Sequence, residues 1–303
     1  MVVIARKVGR LANRILLFAH FIAAAAEHGF RVVNPAFGHY ARYFPSTAGD
    51  LFCRFPLAGP VPSMGPVSRE LLYRAAFLAA NTLHAFQRLG RDVGLIRLRR
   101  HQSLDLDSPA FLSFLRRHRA VFVQDWFFRT SVNCKKHHDL ICSFFTPWER
   151  HLTRARAIVE PAVRQGRFLV GVHVRQSDYA TFKGGRFCYS HRQFRHVMEQ
   201  VRVIFSDRPV SFLVCSDAPV PADAFAGLDV LYGNGHELED LYALAACDRL
   251  VGPPSTYGKW ASYYGTVPRC MMSDPGQPVT PESFRVDSGL LPEPHSLEPV
   301  IPR

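Results

Sequence analysis

The peptide HVRQSDYA, residues 173–180, follows directly after an apolar run that begins at Phe168. Side chains alternate between the two faces of a strand, so His173 and Arg175 lie on the same face, where the strand ends. Open α/β sheets bind ligands at that end. A guanidinium in an apolar strand is costly unless it meets an anion, and its planar fork suits phosphate oxygens. The peptide therefore predicts a phosphate site; the alternative is a structural ion pair between Arg175 and Asp178.

Other polar residues follow or begin predicted elements in the second half of the chain. Asp217 lies two residues after a predicted strand, and Asp240 lies in the first turn of a predicted helix. Ser255 and Thr256 begin the next helix. Backbone amides at a helix N-terminus are unpaired and bind phosphate, so these two residues form a second candidate phosphate site. Asp240 has the alternative role of an ordinary acid that stabilises a helix start.

The second half of the chain alternates predicted strands with predicted helices. The strands are expected at 168–174, 210–215, 228–232, 249–252 and 269–272. Ser190 and Gln193 have the spacing of a capping box, which predicts a helix start between the first two strands. Strands that alternate with helices form a parallel sheet with right-handed crossovers. This half therefore indicates a Rossmann-like domain.

The first half of the chain is less regular. Strands are expected at 2–6, 30–34 and 120–126, and helices at 11–28, 68–89 and 147–163. The helix at 11–28 is apolar on nearly every side, so we expect it to be buried. With 303 residues, 48% of them hydrophobic, the chain is long enough for two domains. We predict an α/β fold with an N-terminal domain at 1–160 and a C-terminal domain at 161–303, which ends in a Pro-rich tail.

Composition and charge limit the kinds of partner. The net charge of +12 favours anionic ligands and suits peripheral contact with an anionic membrane, for which the basic cluster at 97–101 is the best candidate. A solvated helix end is the alternative for that cluster. Lysine and arginine are spread along the chain without a nucleic-acid-binding motif, so we expect no nucleic acid partner. The sequence shows no membrane-spanning run, no cleavable signal and no disulfide framework among its seven cysteines, which predicts a cytoplasmic protein.

Motifs for metal, covalent or dinucleotide chemistry are weak. Cys134, His137, His138 and Cys142 lack a second ligand pair, and one helix cannot aim all four at one ion. The chain has no nucleophile elbow, no Walker loop and no glycine fingerprint for a dinucleotide. No Asp-x-Asp pair stands beside the 173–180 peptide to hold a metal next to a phosphate. We therefore expect neither a metal nor a cofactor.

Four regions resemble, in the same order, the fucosyltransferases that share an H-x-R-x-x-D peptide. They are residues 9–14 (GRLANR), 124–128 (QDWFF), 173–179 with the strand end at 215–217, and 239–240 with 255–260. The bacterial and animal α-1,2 enzymes are the most similar, and the α-1,6 and protein O-fucosyltransferases are more distant. The resemblance runs from Val2 to Met272. It implies a GT-B fold of two Rossmann-like domains facing a cleft, GDP-fucose as the donor, and a glycan acceptor that is fucosylated α-1,2 on galactose.

The resemblance also implies roles for the residues that match. The expected donor-binding residues are Asn13, His173, Arg175, Asp217, Asp240, Ser255 and Thr256. Arg175 would hold the β-phosphate, Asp240 would accept hydrogen bonds from guanine, and His173 would touch the same nucleoside. Asn13 would reach the diphosphate or the fucose; its alternative role is to turn the backbone before a helix.

The implied mechanism is inverting and independent of metal. The acceptor hydroxyl attacks C1 of fucose while GDP leaves, and a preorganised cation lowers the barrier by meeting the charge that grows on the β-phosphate. We expect Arg175 to be that catalytic cation. A carboxylate would take the acceptor proton. Asp178 is the first candidate, with orientation of Arg175 as its alternative role, and Asp125 is the second.

Several positions depart from the family's pattern, including part of the aromatic segment at 256–260. The α-1,2 enzymes usually have Arg and Gly where this chain has Gln176 and Ser177, and a second Asp where it has Ala218. One phosphate contact would then be lost. Two other functions stay open: a glycosyltransferase that uses another nucleotide sugar, and a non-catalytic relative that binds a glycan or nucleotide. We favour a bacterial enzyme of polysaccharide biosynthesis, in the cytoplasm or peripheral to the inner membrane.

Overall fold

The computed structural model describes residues 1–59, 61–62, 65–85, 92–99, 102–130, 132–290 and 298–299. The chain forms two compact units: unit 1 comprises Met1–Trp148 and the segment from Gly289 onward, and unit 2 comprises Glu149–Ser288. The predicted boundary at residue 160 lies inside a helix, Glu149–Arg164, which belongs as a whole to unit 2. The C-terminal tail, predicted in the second domain, belongs to unit 1, where its strand pairs with a strand of that unit.

The secondary structure of the described residues is as follows. The strands are β1 (Val2–Ile4), β2 (Val32–Val33), β3 (Arg54–Phe55), β4 (Val93–Arg97), β5 (Gln102–Asp105), β6 (Ala120–Gln124), β7 (Phe128–Arg129), β8 (Phe168–Val174), β9 (Val210–Ser216), β10 (Val230–Tyr232), β11 (Arg249–Gly252), β12 (Arg269–Met271), β13 (Phe284–Arg285) and β14 (Glu298–Pro299). The α-helices are α1 (Leu11–His28), α2 (Pro45–Ala48), α3 (Pro66–Ala85), α4 (Pro109–Arg117), α5 (Asn133–Lys136), α6 (His138–Phe144), α7 (Glu149–Arg164), α8 (His191–Ile204), α9 (Glu237–Leu244) and α10 (Thr256–Gly265).

Unit 1 is built on a five-stranded sheet in the order β3-β2-β1-β6-β4. Strands β2, β1, β6 and β4 are parallel, and β3 is antiparallel at one edge. Helix α1 is buried without interruption from Ile15 to Ala25, as its apolar sequence predicts. It ends at Gly29, whose φ of 72° favours glycine. A second sheet of the unit, in the order β14-β5-β7, is parallel throughout.

Unit 2 is built on a six-stranded sheet in the order β10-β9-β8-β11-β12-β13. All its strand pairs are parallel except that of β12 with the edge strand β13. The central strands β8 and β9 are buried along almost their whole length, which explains their nearly continuous apolar sequences. Helix α8 begins with the predicted capping box of Ser190 and Gln193. The Rossmann-like prediction for this half is confirmed.

Three local predictions for unit 1 need correction. The strand predicted at 120–126 ends at Gln124, because Asp125 has a φ of 128° and turns the chain. This conformation costs a non-glycine residue about 1–3 kcal/mol. The basic cluster at 97–101 does not lie at a helix end: Arg97 ends β4, and its Nε donates to Gln124 Oε1 at 2.7 Å, whereas residues 100 and 101 lie outside the described residues. The helix predicted at 68–89 begins earlier, at Pro66, and residues 86–89 lie outside the described part of the chain.

Cys134, His137, His138 and Cys142 do not converge on one point: His138 Nε2 lies 3.5 Å from Cys142 Sγ, whereas Cys134 and His137 contact other residues. Cys134 Sγ lies 3.2 Å from His20 Nδ1, and His137 Nε2 lies 2.9 Å from a carboxylate oxygen of Glu27. All seven cysteines are in the described part of the chain, and no disulfide joins any two of them. None of the described helices is both long and apolar enough to cross a membrane.

Candidate functional site

Three neighbouring strands of unit 2 bring predicted phosphate-binding residues to one edge of the sheet. Strands β9, β8 and β11 are adjacent and parallel, so their carboxyl ends lie together. Arg175 follows β8, Asp217 follows β9 and Ser255 comes shortly after β11. We call this group, with His173 and Asp178, the strand-end cluster. Within it, Arg175 contacts Asp178 and Asp217, and His173 contacts Ser255.

Arg175 is held between two carboxylates. Its Nη2 lies 2.8 Å from Asp178 Oδ1, and its Nη1 lies 3.0 Å from Asp217 Oδ2. The structural ion pair considered for Arg175 therefore exists, with a second carboxylate added to it. A guanidinium has five N–H groups, so these two contacts leave donors for a ligand. The side chain is 16% exposed, which makes it reachable but well shielded from water.

Asp217 is fixed in its ionised form. Burial opposes ionisation, but hydrogen bonds from Ser177 Oγ and from the Gln176 backbone N–H, together with the Arg175 charge, hold the pKa of Asp217 below its usual value. The N–H of Gln176 lies 2.8 Å from Asp217 Oδ1. Gln176 and Ser177, two of the positions that depart from the family's pattern, thus help to anchor the carboxylate that holds Arg175. In the sequence, Ser177 is only a departure from the family's pattern, and its hydrogen bond to Asp217 is not predicted.

His173 is a buried, neutral member of the cluster. Burial lowers the pKa of His173 to about 3, and the nearby charge of Arg175 adds to the effect. Its Nδ1 shares a hydrogen bond of 3.1 Å with Ser255 Oγ, and its ring stacks on Tyr257 with 4.8 Å between centroids. A side chain at Gly252 would place its Cβ 3.1 Å from the His173 carbonyl oxygen, so the glycine permits this close packing. His173 is only 6% exposed, and its observed contacts position Ser255.

The N-terminus of helix α10 lies beside the cluster. Ser255 caps the helix, because its Oγ accepts the backbone N–H of Gly258 at 3.1 Å. Thr256 is the first helical residue and is half-buried. The Tyr179 hydroxyl donates to the carbonyl oxygen of Pro254 at 2.6 Å, which ties the segment after Arg175 to the start of this helix. Backbone amides with a nearby guanidinium form an arrangement suited to phosphate groups.

Asp240 is buried at the start of α9, in the same unit. Its Oδ1 accepts the N–H of Asn234 at 2.8 Å and its Oδ2 accepts the N–H of Gly235 at 3.2 Å. Desolvation by burial raises the pKa of Asp240 above its usual value. A Cβ at Gly233 would lie 2.5 Å from Asp240 Oδ1, so the loop needs glycine there. The carboxylate therefore holds the 233–235 loop, yet each oxygen retains acceptor capacity for a ligand.

Asn13 and Asp125 belong to unit 1 and are not members of the strand-end cluster. Asn13 lies in the first turn of α1 and is half-buried. A Cβ at Gly9 would lie 1.7 Å from Asn13 Nδ2, and Gly9 has a φ of 51°. The Asn13 side chain thus packs closely on the Gly9 turn. This contact agrees with the alternative role of Asn13 in turning the backbone before the helix.

A second polar group in unit 2 was not predicted. Helix α7 approaches α9 through His151, whose Nδ1 lies 2.8 Å from Glu239 Oε1. His236 caps α9, and its Nδ1 accepts the N–H groups of Leu238 and Glu239. These three side chains have ligand atoms within 4.8 Å of one another, but the Arg154 guanidinium lies 3.3 Å from the same Glu239 oxygen. A guanidinium in that position competes with a metal ion, so we interpret the group as an ion-paired link between the two helices.

Comparisons with known proteins identify the fold. No protein-family model matches the chain, and no curated protein matches it. A lysine-for-arginine mutant of Arabidopsis thaliana FUT1, in complex with GDP, superposes with a TM-score of 0.57 at 14% identity, over 93% of this chain and 73% of that one. NodZ α-1,6-fucosyltransferase soaked with GDP-fucose superposes with a TM-score of 0.54 at 18% identity, over 91% of this chain and 97% of that one.

The chain has the fold of these fucosyltransferases. The predicted fold class, an α/β protein of two Rossmann-like domains of the GT-B type, is confirmed by this similarity and by the parallel sheets of the two units. Identities of 14% and 18% make the similarity one of fold. Function has to be argued from the residues of the site.

Proposed function

We propose that this protein is an inverting glycosyltransferase that moves fucose from GDP-fucose to a glycan acceptor. The observation that carries the proposal is the Arg175 guanidinium, held by Asp178 and Asp217 at the carboxyl edge of a parallel sheet. Helix α10 begins beside it. A fixed cation next to a helix start suits a diphosphate. The fold shared with fucosyltransferase structures that were solved with GDP or GDP-fucose supports the choice of donor.

Arg175 would act on the leaving group. Negative charge grows on the β-phosphate oxygen as the bond to fucose C1 breaks, and a cation that is already in place stabilises this charge without reorganisation. The two carboxylates that fix Arg175 provide this preorganisation. Asp178 is half exposed and uses Oδ1 for Arg175, so Oδ2 would be the atom that takes the acceptor proton. Its ion pair equally supports the role of orienting Arg175.

The finer parts of the proposal rest on separate grounds. Guanine as the donor base rests on Asp240 and its remaining acceptor capacity. The α-1,2 linkage to galactose rests on the resemblance of the 9–14 and 173–179 peptides. Peripheral contact with an anionic membrane rests on the net charge of +12.

Nucleotide binding can be tested first, and fucosyl transfer second. We expect GDP to raise the Tm more than UDP or ADP does, because only guanine offers its N1–H and N2–H donors to a carboxylate. Incubation with labelled GDP-fucose on a glycan array is then expected to label glycans that end in galactose. Slow release of GDP without any acceptor would distinguish an enzyme from a non-catalytic binder. Equal stabilisation by UDP or ADP would favour another nucleotide sugar.

Removal of divalent cations is expected to leave the initial rate of transfer unchanged. Arg175 already supplies positive charge where a metal would otherwise meet the diphosphate. The measurement is the rate of GDP release in excess EDTA, compared with rates in added magnesium or manganese. A large loss of rate that either metal restores would contradict the proposed mechanism.

A further inference from the structure

The turn that follows strand β6 lies at the carboxyl edge of the unit 1 sheet. β6 is flanked by β1 and β4, and its pairing with β4 continues to its last residue, where Arg97 faces Gln124. Asp125 then leaves the sheet with a φ of 128°. Strand β7 begins three residues later, so residues 125–127 form a short, half-buried connection between two sheets of the unit. Sheets of this type bind ligands at this edge.

Three energetically unfavourable features meet at this turn. The backbone of Asp125 is in a region that favours glycine. Gln124 is 0% exposed, and its Nε2 has no hydrogen-bond partner among the described residues. Arg129 is buried, and desolvation lowers its pKa to about 9. A single substitution would remove each of these unfavourable features. The presence of all three in one turn therefore indicates that the turn is kept for function.

Arg129 holds the turn in place. Its Nη1 donates to the backbone carbonyls of Trp126 and Phe128, at 2.6 and 2.7 Å. The guanidinium also lies 4.4 Å from the centre of the Trp126 ring. A buried cation thus fixes both the backbone and the indole beside Asp125. A strained turn can serve as a binding site only if its surroundings hold it rigidly, and these contacts of Arg129 do so.

The turn presents a carboxylate beside aromatic side chains. Asp125 is 25% exposed; its Oδ1 accepts the N–H of Trp126 at 2.7 Å, and its Oδ2 lies 3.5 Å from Nη1 of Arg6. Trp126 and Phe127 are half-buried. A carboxylate accepts hydrogen bonds from hydroxyl groups, and aromatic faces cover C–H surfaces. This combination suits a neutral, hydroxyl-rich ring and is unsuited to a diphosphate, which the carboxylate would repel.

We propose that Asp125 and Trp126 bind the acceptor sugar, with the Asp125 carboxylate accepting a hydrogen bond from an acceptor hydroxyl. This inference rests on the proposed function, because it assigns the second substrate of the same reaction. A turn kept only for folding would be served better by glycine at position 125, so an aspartate kept there despite its backbone strain indicates a role for its carboxylate.

The test compares Asp125→Asn and Asp125→Gly with the parent protein. The probe is the glycan that the parent labels most strongly on an array with labelled GDP-fucose. We expect both variants to lose kcat/KM for that glycan by about 10- to 100-fold, as for the loss of a charged hydrogen bond. Their Kd for GDP, measured by calorimetry, should match that of the parent. Asp125→Gly should also have a Tm a few degrees higher, because the strain is relieved.

Thr266→Gly is the matched control. Thr266 also has a positive φ, 54°, but it caps the C-terminus of α10, so this variant should gain stability and keep full transfer. Parental kcat/KM in Asp125→Gly, or a Tm that does not rise, would overturn the inference. A parent that releases GDP from GDP-fucose yet labels no glycan would overturn the sugar assignment alone. A parent that neither binds GDP nor releases it would contradict the proposed function itself.

Discussion

Replacement of Arg175 by alanine is expected to lower the rate of fucosyl transfer by about 10²–10³-fold, as for the loss of one preorganised donor to a developing oxyanion. The variant also leaves Asp178 and Asp217 without the cation that they share. Two negative charges would then face an incoming diphosphate. The measurement is the initial rate of transfer with labelled GDP-fucose, together with the Tm as a check of folding.

Two further arginine variants sharpen this prediction. Arg175→Lys should restore little activity, because an ammonium cannot contact two carboxylates and a phosphate with the geometry of the guanidinium fork. Arg195→Ala is the matched control: Arg195 pairs with Glu199 on the surface of α8, and its loss should leave transfer unchanged. Near-parental turnover in a folded Arg175→Ala would remove Arg175 from the mechanism.

Replacement of Asp240 by alanine is expected to weaken GDP binding by about 1–3 kcal/mol, because guanine would lose its hydrogen-bond acceptor in a buried environment. Loss of the contacts to Asn234 and Gly235 would also release the 233–235 loop. Inosine diphosphate lacks the guanine N2 amino group. Comparing it with GDP therefore separates an effect of the loop on binding from an effect on recognition of the base. The parent should prefer GDP to inosine diphosphate, and the variant should show little preference. Calorimetry with both nucleotides measures this difference.

Glu237→Ala is the control for the Asp240 variant. Glu237 is another acid in the first turn of the same helix, so its loss reports the effect of helix charge alone. We expect it to bind GDP as the parent does. An Asp240→Ala protein that keeps the parental preference for GDP would show that Asp240 only holds the loop, and guanine as the donor base would lose its main support.

The sequence best predicts those elements that are uninterrupted apolar runs. β8, β11 and α1 have the predicted bounds, because each is an apolar run that polar, glycine or proline residues terminate. β4 escapes prediction, because Gly94 interrupts its pattern. The structure explains this glycine: a Cβ there would lie 2.6 Å from the Phe114 ring. A packing demand from a distant helix overrides strand propensity, and no local pattern reveals such a demand.

The candidate site also has one part that the sequence predicts and other parts that it does not. The meeting of Arg175 and Asp217 follows from parallel strands whose ends lie at one edge, so residues that follow the strands can be predicted to converge. The pair of His151 and Glu239 could not be predicted, since the two residues are 88 positions apart and carry no motif. The strained turn at Asp125 could not be predicted either, because aspartate adopts a positive φ only occasionally and most aspartates do not.

Unit 2 is one continuous stretch of the chain, whereas unit 1 is assembled from two. On a ribosome, all six strands of the unit 2 sheet are therefore synthesised before β14, the strand that completes the small sheet of unit 1. Domains fold largely as units during synthesis. A nascent chain that has reached Ser288 would already contain everything needed for the strand-end cluster, while unit 1 would still lack one strand. The small sheet of unit 1 would thus be completed only after the whole of unit 2 has been synthesised.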